Sequence, residues 1–326
     1  AAADNGIGVA GMSWKAGLLS LRVFSASDCS GDCGQTTCGT TEEAIAAAID
    51  DVISRNNTTL YGKMILNISL GSSGSCSDNT ATTAHPLQTA VTAAVNAGLL
   101  IFAAAGNEGY GYMDSPANCS GVYAVGATDA SDRIAAFSDS DPTMATKGLS
   151  APGVGVLTTD LNGGYASASG TSFASPMAAG LAALIWSAKP ALPPSGVFDI
   201  MKNSADDLGP AGPDVDYGWG RINALKALRL AETGSKDYAA ARRASAYPNP
   251  FRPGTQRLVT FTSPDKDISG GAEVKVYTSE GELVKKLDSM AWDGRNSAGE
   301  PVASGVYIFR VRTDKGGSTG SFALIR

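Results

Sequence analysis

An α/β protein with a mostly parallel sheet covered by helices on both faces, followed by a small all-β sandwich, is the architecture the sequence predicts. Two observations carry it. Over roughly the first 130 residues, short apolar runs alternate with amphipathic helical stretches. A β-α-β-α-β rhythm of this kind makes a parallel sheet with crossover helices. After about residue 232 the helical periodicity stops, and about eighty residues of short strands and turn residues follow, the pattern of a β-sandwich. The expected layout is a first domain over 1–232, a linker over 233–245 and a sandwich over 246–326.

Each element has its own warrant. Residues 18–24 (LLSLRVF) read as a buried strand. A Ser, Asp, Gly and Cys-rich loop runs to residue 39. Thr40 with Glu43 three residues on reads as a capping box, and Ile45, Ile49, Val52 and Ile53 share one helix face. Residues 64–68 (MILNI) predict a second strand that ends at Ser69, Leu70 and Gly71. Leu87, Ala90, Val91, Ala94 and Val95 mark a second amphipathic helix, which Gly98 stops. Residues 99–104 (LLIFAA) predict a third strand, ending in Gly106 and Asn107, and 122–127 (VYAVGA) a fourth. Sites in such sheets form at the carboxyl ends of strands. In the C-terminal part, Val259 with Phe261 and Val274 with Val276 alternate, and Val306, Ile308 and Val311 do so less regularly, with turns such as 279–281 and 296–299 between the runs.

Composition narrows the function. The 326 residues are 43% hydrophobic and carry a net charge of −6. That apolar share builds a core and excludes bulk disorder. A nucleic-acid partner would call for a basic stripe, and none is present. No apolar run approaches the ~18 residues of a membrane span. The most apolar segment, from Met177 to Trp186, is too short and is diluted with Ala and Gly. Residue 1 is not Met, and the opening AAADNGIGVAG reads as a helix end running into a loop, so the upstream part of a longer chain is expected.

The chemistry concentrates at Gly170-Thr171-Ser172-Phe173-Ala174-Ser175-Pro176, ahead of an Ala, Gly and Leu-rich helix. Small residues allow a sharp turn and close packing, and Pro176 is expected in the first turn. A serine at a helix N-terminus sits where backbone N–H groups and the helix dipole favour negative charge, which suits a tetrahedral oxyanion.

This segment resembles the Gly-Thr-Ser-x-Ala-x-Pro nucleophile motif of the subtilisin-like serine proteases, the subtilases. Further blocks agree in order: Asn67-Ile68-Ser69-Leu70-Gly71, Ala104-Ala105-Gly106-Asn107-Glu108-Gly109, Ser115-Pro116-Ala117, Ala151-Pro152-Gly153 and Tyr217-Gly218-Trp219-Gly220. The resemblance covers residues 1 to about 230. It implies a secreted serine endopeptidase acting on peptides or proteins, with Ser172 as nucleophile and Asn107 as side-chain donor of the oxyanion hole. Ser69, Leu70, Gly71, Ala104, Ala105 and Gly106 would wall the pocket for the residue before the scissile bond, with Glu108 at its rim. That pocket is expected to be open and apolar and to accept Phe or Leu, with some Lys tolerated through the Glu108 charge at the rim.

Subtilases order their triad Asp, His, Ser, and the first two blocks would lie upstream of residues 5–11. The single histidine, His85, falls before Pro86 at a surface helix and is not expected to be the base. The chain as given is therefore expected to be inactive alone. The rival expectation is a non-catalytic surface or binding protein on the same scaffold. The resemblance also implies a structural calcium ion, with carbonyls of Ala3, Ile7 and Val9 and the side chain of Asn5 as half of its ligands. A weaker cation site of the family would fall at Ala117, Cys119 and Val122. Gly148 stands there in place of a carboxylate, and no ion is expected.

Five cysteines are an odd number, so at least one is free or pairs outside this sequence. Disulfides in an oxidising compartment are the favoured reading. Cys76 with Cys119 is the preferred pair, because both flank loops at one end of the sheet, and a second bridge would fall within Cys29, Cys33 and Cys38. In the C-terminal part, Tyr247-Pro248-Asn249-Pro250-Phe251, Trp292-Asp293-Gly294-Arg295 and Ser304-Gly305-Val306-Tyr307 resemble a FlgD-like immunoglobulin-type module. That likeness implies sorting by secretion machinery, attachment at a bacterial cell surface, or passive stabilisation. The protein is expected to be a monomer outside the cell.

Overall fold

Four parallel strands, β1 (Ile65–Ile68), β2 (Leu100–Ala104), β3 (Tyr123–Thr128) and β4 (Gly148–Pro152), lie side by side in that order. They form the heart of the first of two units, Ala1–Lys236 and Asp237–Arg326. The computed structural model describes residues 8–25, 39–72, 74–76, 85–160, 163–236, 244–263, 272–313 and 316–326.

Helices α1 (Glu42–Arg55) and α2 (Pro86–Asn96) cover one face of the sheet. Ile49, Val52, Leu87 and Val91 pack there with Ile101 and Ala103 of β2. After the short α3 (Met144–Lys147), helices α4 (Thr171–Ala188), α5 (Pro194–Ser204) and α6 (Ala224–Thr233) cover the other face. There Ala178, Leu181, Ile185 and Met201 meet Leu100 and Phe102. All five residues of β2 are buried. This explains why the strand reads as a continuous apolar run rather than an alternating one. A hairpin of β5 (Val156–Thr159) and β6 (Tyr165–Ala168) precedes α4.

Helix α4 is long and apolar enough to cross a membrane by length and composition, contrary to the expectation that no segment qualifies. Its apolar face lies in the core against the sheet, and that burial accounts for its composition.

Other expectations are corrected by the structure. Residues 18–24 form no strand. Leu21 and Val23 pack on the core, but Leu18 is 89% exposed. Apolar content drives burial, whereas a strand needs a hydrogen-bonded neighbour, and this run pairs with none among the described residues. Helix α1 is capped by Thr41, which accepts the Ala44 N–H, and not by Thr40, whose hydroxyl donates to the Val23 carbonyl. Pro176 falls in the second turn of α4, not the first.

The named strands of the second unit pair antiparallel, and a single parallel bridge joins Phe251 to Leu324. Its seven strands are β7 (Ser245–Tyr247), β8 (Val259–Thr262), β9 (Glu273–Thr278), β10 (Leu283–Leu287), β11 (Ala291–Trp292), β12 (Gly305–Thr313) and β13 (Gly316–Leu324). They form sheets ordered β10-β9-β12-β13 and β11-β8-β7. Phe261, Trp292, Phe309 and Phe322 from the two sheets share one core. The inward phase of β12 is Tyr307, Phe309 and Val311. Val306 and Ile308 point outward, opposite to expectation, because both faces of this strand carry apolar residues.

Candidate active site

The carboxyl ends of β1 and β2 are laced to the first turns of α4. The Ser175 hydroxyl donates to Asn67 Oδ1 (2.8 Å), and Asn67 Nδ2 donates to Ser69 Oγ (3.0 Å). Ser69 Oγ in turn donates to the Ser172 carbonyl (2.9 Å). That last bond has a clear cause. Pro176 has no N–H to give the carbonyl four residues back, and Ser69, just past the end of β1, supplies the missing donor. The Ser172 hydroxyl lies 3.5 Å from the Ser69 carbonyl.

Asn107 is held in one orientation. Its Oδ1 accepts the Thr171 N–H (2.8 Å) and lies 3.0 Å from Thr171 Oγ1. A backbone N–H can only donate, so the amide oxygen must face Thr171 and the NH₂ group is left as a donor. Phe173 N–H closes a turn on the Gly170 carbonyl. Gly170 at the N-cap has no side chain to offer, Asn107 takes the Thr171 N–H in its place, and the Ser172 N–H has no acceptor among the described residues. One backbone donor and one side-chain donor thus remain unused beside the Ser172 hydroxyl, at the positive end of an 18-residue helix.

Three carboxylates gather next to this point. One oxygen each of Glu108, Asp114 and Asp139 lies within 4.8 Å of the other two. Asp114 sits between the extensions of β1 and β2: its N–H donates to the Ala105 carbonyl (3.0 Å), and Ser115 pairs with Ser72. A Cβ on Gly71 would lie 3.0 Å from Asp114 Cβ, so glycine there admits the aspartate. Asp139 is 1% exposed. Its Oδ1 accepts the N–H groups of Glu108 (3.2 Å) and Tyr110 (2.6 Å). Its Oδ2 lies against Gly106, whose φ of +124° and lack of a Cβ both fit the contact, and it has no donor. Burial raises Asp139 to about 6; the Tyr110 N–H opposes the rise, and the Glu108 and Asp114 carboxyls add to it. Burial, then the Glu108 charge, also raises Asp114.

Residues 1–220 match the subtilase family. The chain belongs to it. It is 36% identical over 244 residues to an extracellular protease of Xanthomonas campestris, covering 72% of this chain and 39% of that protein. It is 36% identical to alkaline elastase YaB of a Bacillus strain (70% and 53%) and 35% identical to Subtilisin Savinase of Lederbergia lenta (70% and 74%). The chain spans about half the length of the first two. Among solved structures, the prenylagaramide maturation protease PagA superposes with a TM-score of 0.53 at 28% identity, covering 62% of this chain and 71% of that one. The patellamide maturation protease PatA gives 0.51 at 30% identity (59% and 70%).

In this subtilase Ser69 bonds to Ser172, and Asn107 and Gly106 bond to Thr171 beside it; Gly71, Ala105 and Glu108 contact Asp114 or Asp139, and Ala104 ends β2. Leu70 packs against the core beneath them. Sequence reading missed Asp114 and Asp139, which meet Glu108 in one group of carboxylates. Their signal was the pair of glycines, Gly71 and Gly106, that admit them. His85 Nε2 lies 3.2 Å from Glu42 Oε2 at the start of α2, so that contact is with α1 and not with Ser172. Of the expected calcium ligands, Ala3, Asn5 and Ile7 lie outside the described residues, and Val9 is half-buried. Cys76 and Cys119 are bonded, with Cα atoms 4.9 Å apart; Cys29, Cys33 and Cys38 lie outside the described residues. At the weaker cation site, Lys147 Nζ donates to the Ala117 and Cys119 carbonyls (both 2.7 Å). Burial lowers that ammonium to about 8.

Proposed function

We propose that this chain carries the nucleophile and oxyanion hole of a secreted serine endopeptidase. The observation that supports it most is the pair of unused donors, the Asn107 NH₂ and the Ser172 N–H, beside the Ser172 hydroxyl. Ser172 Oγ attacks the peptide carbonyl while its proton passes to an imidazole. The carbonyl oxygen becomes an oxyanion held by the two donors, the amine leaves with the proton, and water then hydrolyses the acyl-enzyme. Loss of such a side-chain donor costs about 10²–10³ in turnover in a subtilisin.

The imidazole is the part residues 1–326 do not bring to Ser172, since the single histidine engages Glu42. We take the base to come from outside these residues. Calcium at Ala3, Asn5, Ile7 and Val9 would stiffen the loop they form and takes no part in bond breaking. The second unit, by its FlgD-like motifs, serves sorting or surface attachment of a monomeric enzyme outside the cell. The engagement of His85 also favours a second reading, a binding protein that keeps the scaffold without catalysis.

A fluorophosphonate probe separates the two. The native gene product is expected to label at Ser172 and to hydrolyse casein, and Ser172→Ala to abolish both with an unchanged circular dichroism spectrum. Residues 1–326 alone are expected to label slowly. Casein turnover surviving in Ser172→Ala would sink the assignment, and fast labelling of residues 1–326 would sink the external base.

A further inference from the structure

The acidic cluster is a candidate for ligand binding because the chain does not complete it. Carboxylates this close repel, and buried ones need a partner or a proton. No Lys or Arg pairs with Glu108, Asp114 or Asp139 among the described residues. Asp139 Oδ2 is buried against Gly106 without any donor, and one oxygen of its carboxyl lies within 4.8 Å of an oxygen of each of the other two. Position adds the second half of the case. Asp114 rests on Gly71 and Ala105, Asp139 rests on Gly106, and Glu108 follows Asn107. These are the residues that would wall the pocket for the side chain preceding the scissile bond.

We propose that Glu108, Asp114 and Asp139 form a receptor for a cationic side chain, Arg or Lys, of the substrate residue that precedes the scissile bond. This rests on the protease reading of the pocket and departs from the apolar preference expected from sequence. The donor count favours a side chain over a metal. Asp139 Oδ1 already holds two N–H groups and Glu108 Oε2 holds the Asn107 N–H (2.8 Å). Four carboxylate oxygens remain, one from Glu108, one from Asp139 and two from Asp114. A calcium ion takes 6–8 oxygens. A guanidinium presents five N–H donors in a planar fork that suits two or three carboxylates. Tyr110, anchored through its N–H to Asp139, stacks on Tyr112 with centroids 5.0 Å apart. Both rings are about half exposed, and their faces can take the apolar stem of the incoming side chain.

Two fluorogenic peptides that differ only in Arg or Phe before the scissile bond give the first test on the native gene product. The kcat/KM ratio of Arg to Phe is expected to be about 10–100, and to fall below one in Asp114→Asn/Asp139→Asn. A wild-type preference for Phe would overturn the receptor while leaving the protease reading intact. Binding of benzamidine to the Ser172→Ala protein, followed by calorimetry, gives the second test and needs no turnover. Binding that is lost in the added Asp114→Asn/Asp139→Asn pair supports the receptor even if neither peptide is cut, in which case the protease reading alone has failed. No benzamidine binding, or calcium binding that needs the three carboxylates in its place, overturns the receptor.

Discussion

Asp206 and Asp139 are both largely buried aspartates of the first unit, and their surroundings differ in one respect. Asp206 accepts from Arg221 Nη2 (2.6 Å), Asn223 Nδ2 (2.9 Å) and Lys226 Nζ (2.5 Å), and Arg221 also reaches Asp132. Burial works to raise its pKa, but the bonds from Lys226, Asn223 and Arg221 outweigh it and hold the carboxyl below its ordinary range. Asp139 has two backbone donors and no cation, and it sits at about 6. The chain brings counter-charges to the first aspartate and carboxylates to the second. The first arrangement fastens loops together. The second holds electrostatic free energy that only a proton or an arriving cation can release.

The widest separation between the two is expected in stability. Asp206→Ala strands Lys226 and leaves Arg221 only Asp132 as partner, and is expected to cost about 2–3 kcal/mol in urea unfolding, toward the low end for a broken partly buried pair. Asp139→Asn keeps an acceptor for the Glu108 and Tyr110 N–H groups and removes a repelled charge. It is expected to be neutral or stabilising by up to about 1 kcal/mol. Similar losses in both variants would erase the distinction.

Acidification sharpens it next. The folded pKa of Asp139 is raised, so the folded state takes up the proton first as pH falls from about 6 to the ordinary 3.8. Relative to Asp139→Asn, the wild type is therefore expected to gain stability across that window. Glu108, Asp114, Tyr110 and Tyr112 face the same carboxyl, and Asp114, raised in the same direction, adds to the gain. Asp206, held low, keeps its contribution above the ordinary 3.8 and loses it only as pH falls through its folded pKa. Melting temperatures of the three proteins against pH read both signs, and parallel curves for wild type and Asp139→Asn would refute the first.

The smallest effect concerns a neutral bond that joins the same site. Ser69→Ala removes the donor that covers the Ser172 carbonyl, at about 1 kcal/mol. In a Pro176→Ala background the helix N–H returns to that carbonyl, and the same substitution is expected to cost less. Additivity in the double-mutant cycle would show that Ser69 does not compensate for the proline.

The legible and illegible parts of this molecule divide by range. Strand β2 and the Ser172 segment were readable because each is specified by consecutive residues. Residues 18–24 have the same apolar texture as β2, and only the missing ladder partner tells them apart. Thr40 and Thr41 are equivalent as caps until the Val23 carbonyl claims one of them. The inward phase of β12 could not be read where Val306 and Ile308 alternate with Tyr307 and Phe309. Asp114 and Asp139 were invisible as a pair because 25 residues separate them along the chain, and their meeting depends on backbone approach at Gly71 and Gly106.

Lys147 exchanges one kind of environmental dependence for another. Carbonyls that hold a free ion tie a loop to the salinity of the medium and leave it open to chelators. A tethered ammonium has no dissociation into bulk solvent and cannot be dialysed away, and it reaches the Ala117 and Cys119 carbonyls at an effective concentration set by its own side chain. Its control passes to alkalinity. With the folded pKa near 8 and the ordinary value at 10.5, the unfolded chain binds more protons between them. This group's contribution to stability therefore rises as the medium is made alkaline through that interval, in brine and fresh water alike.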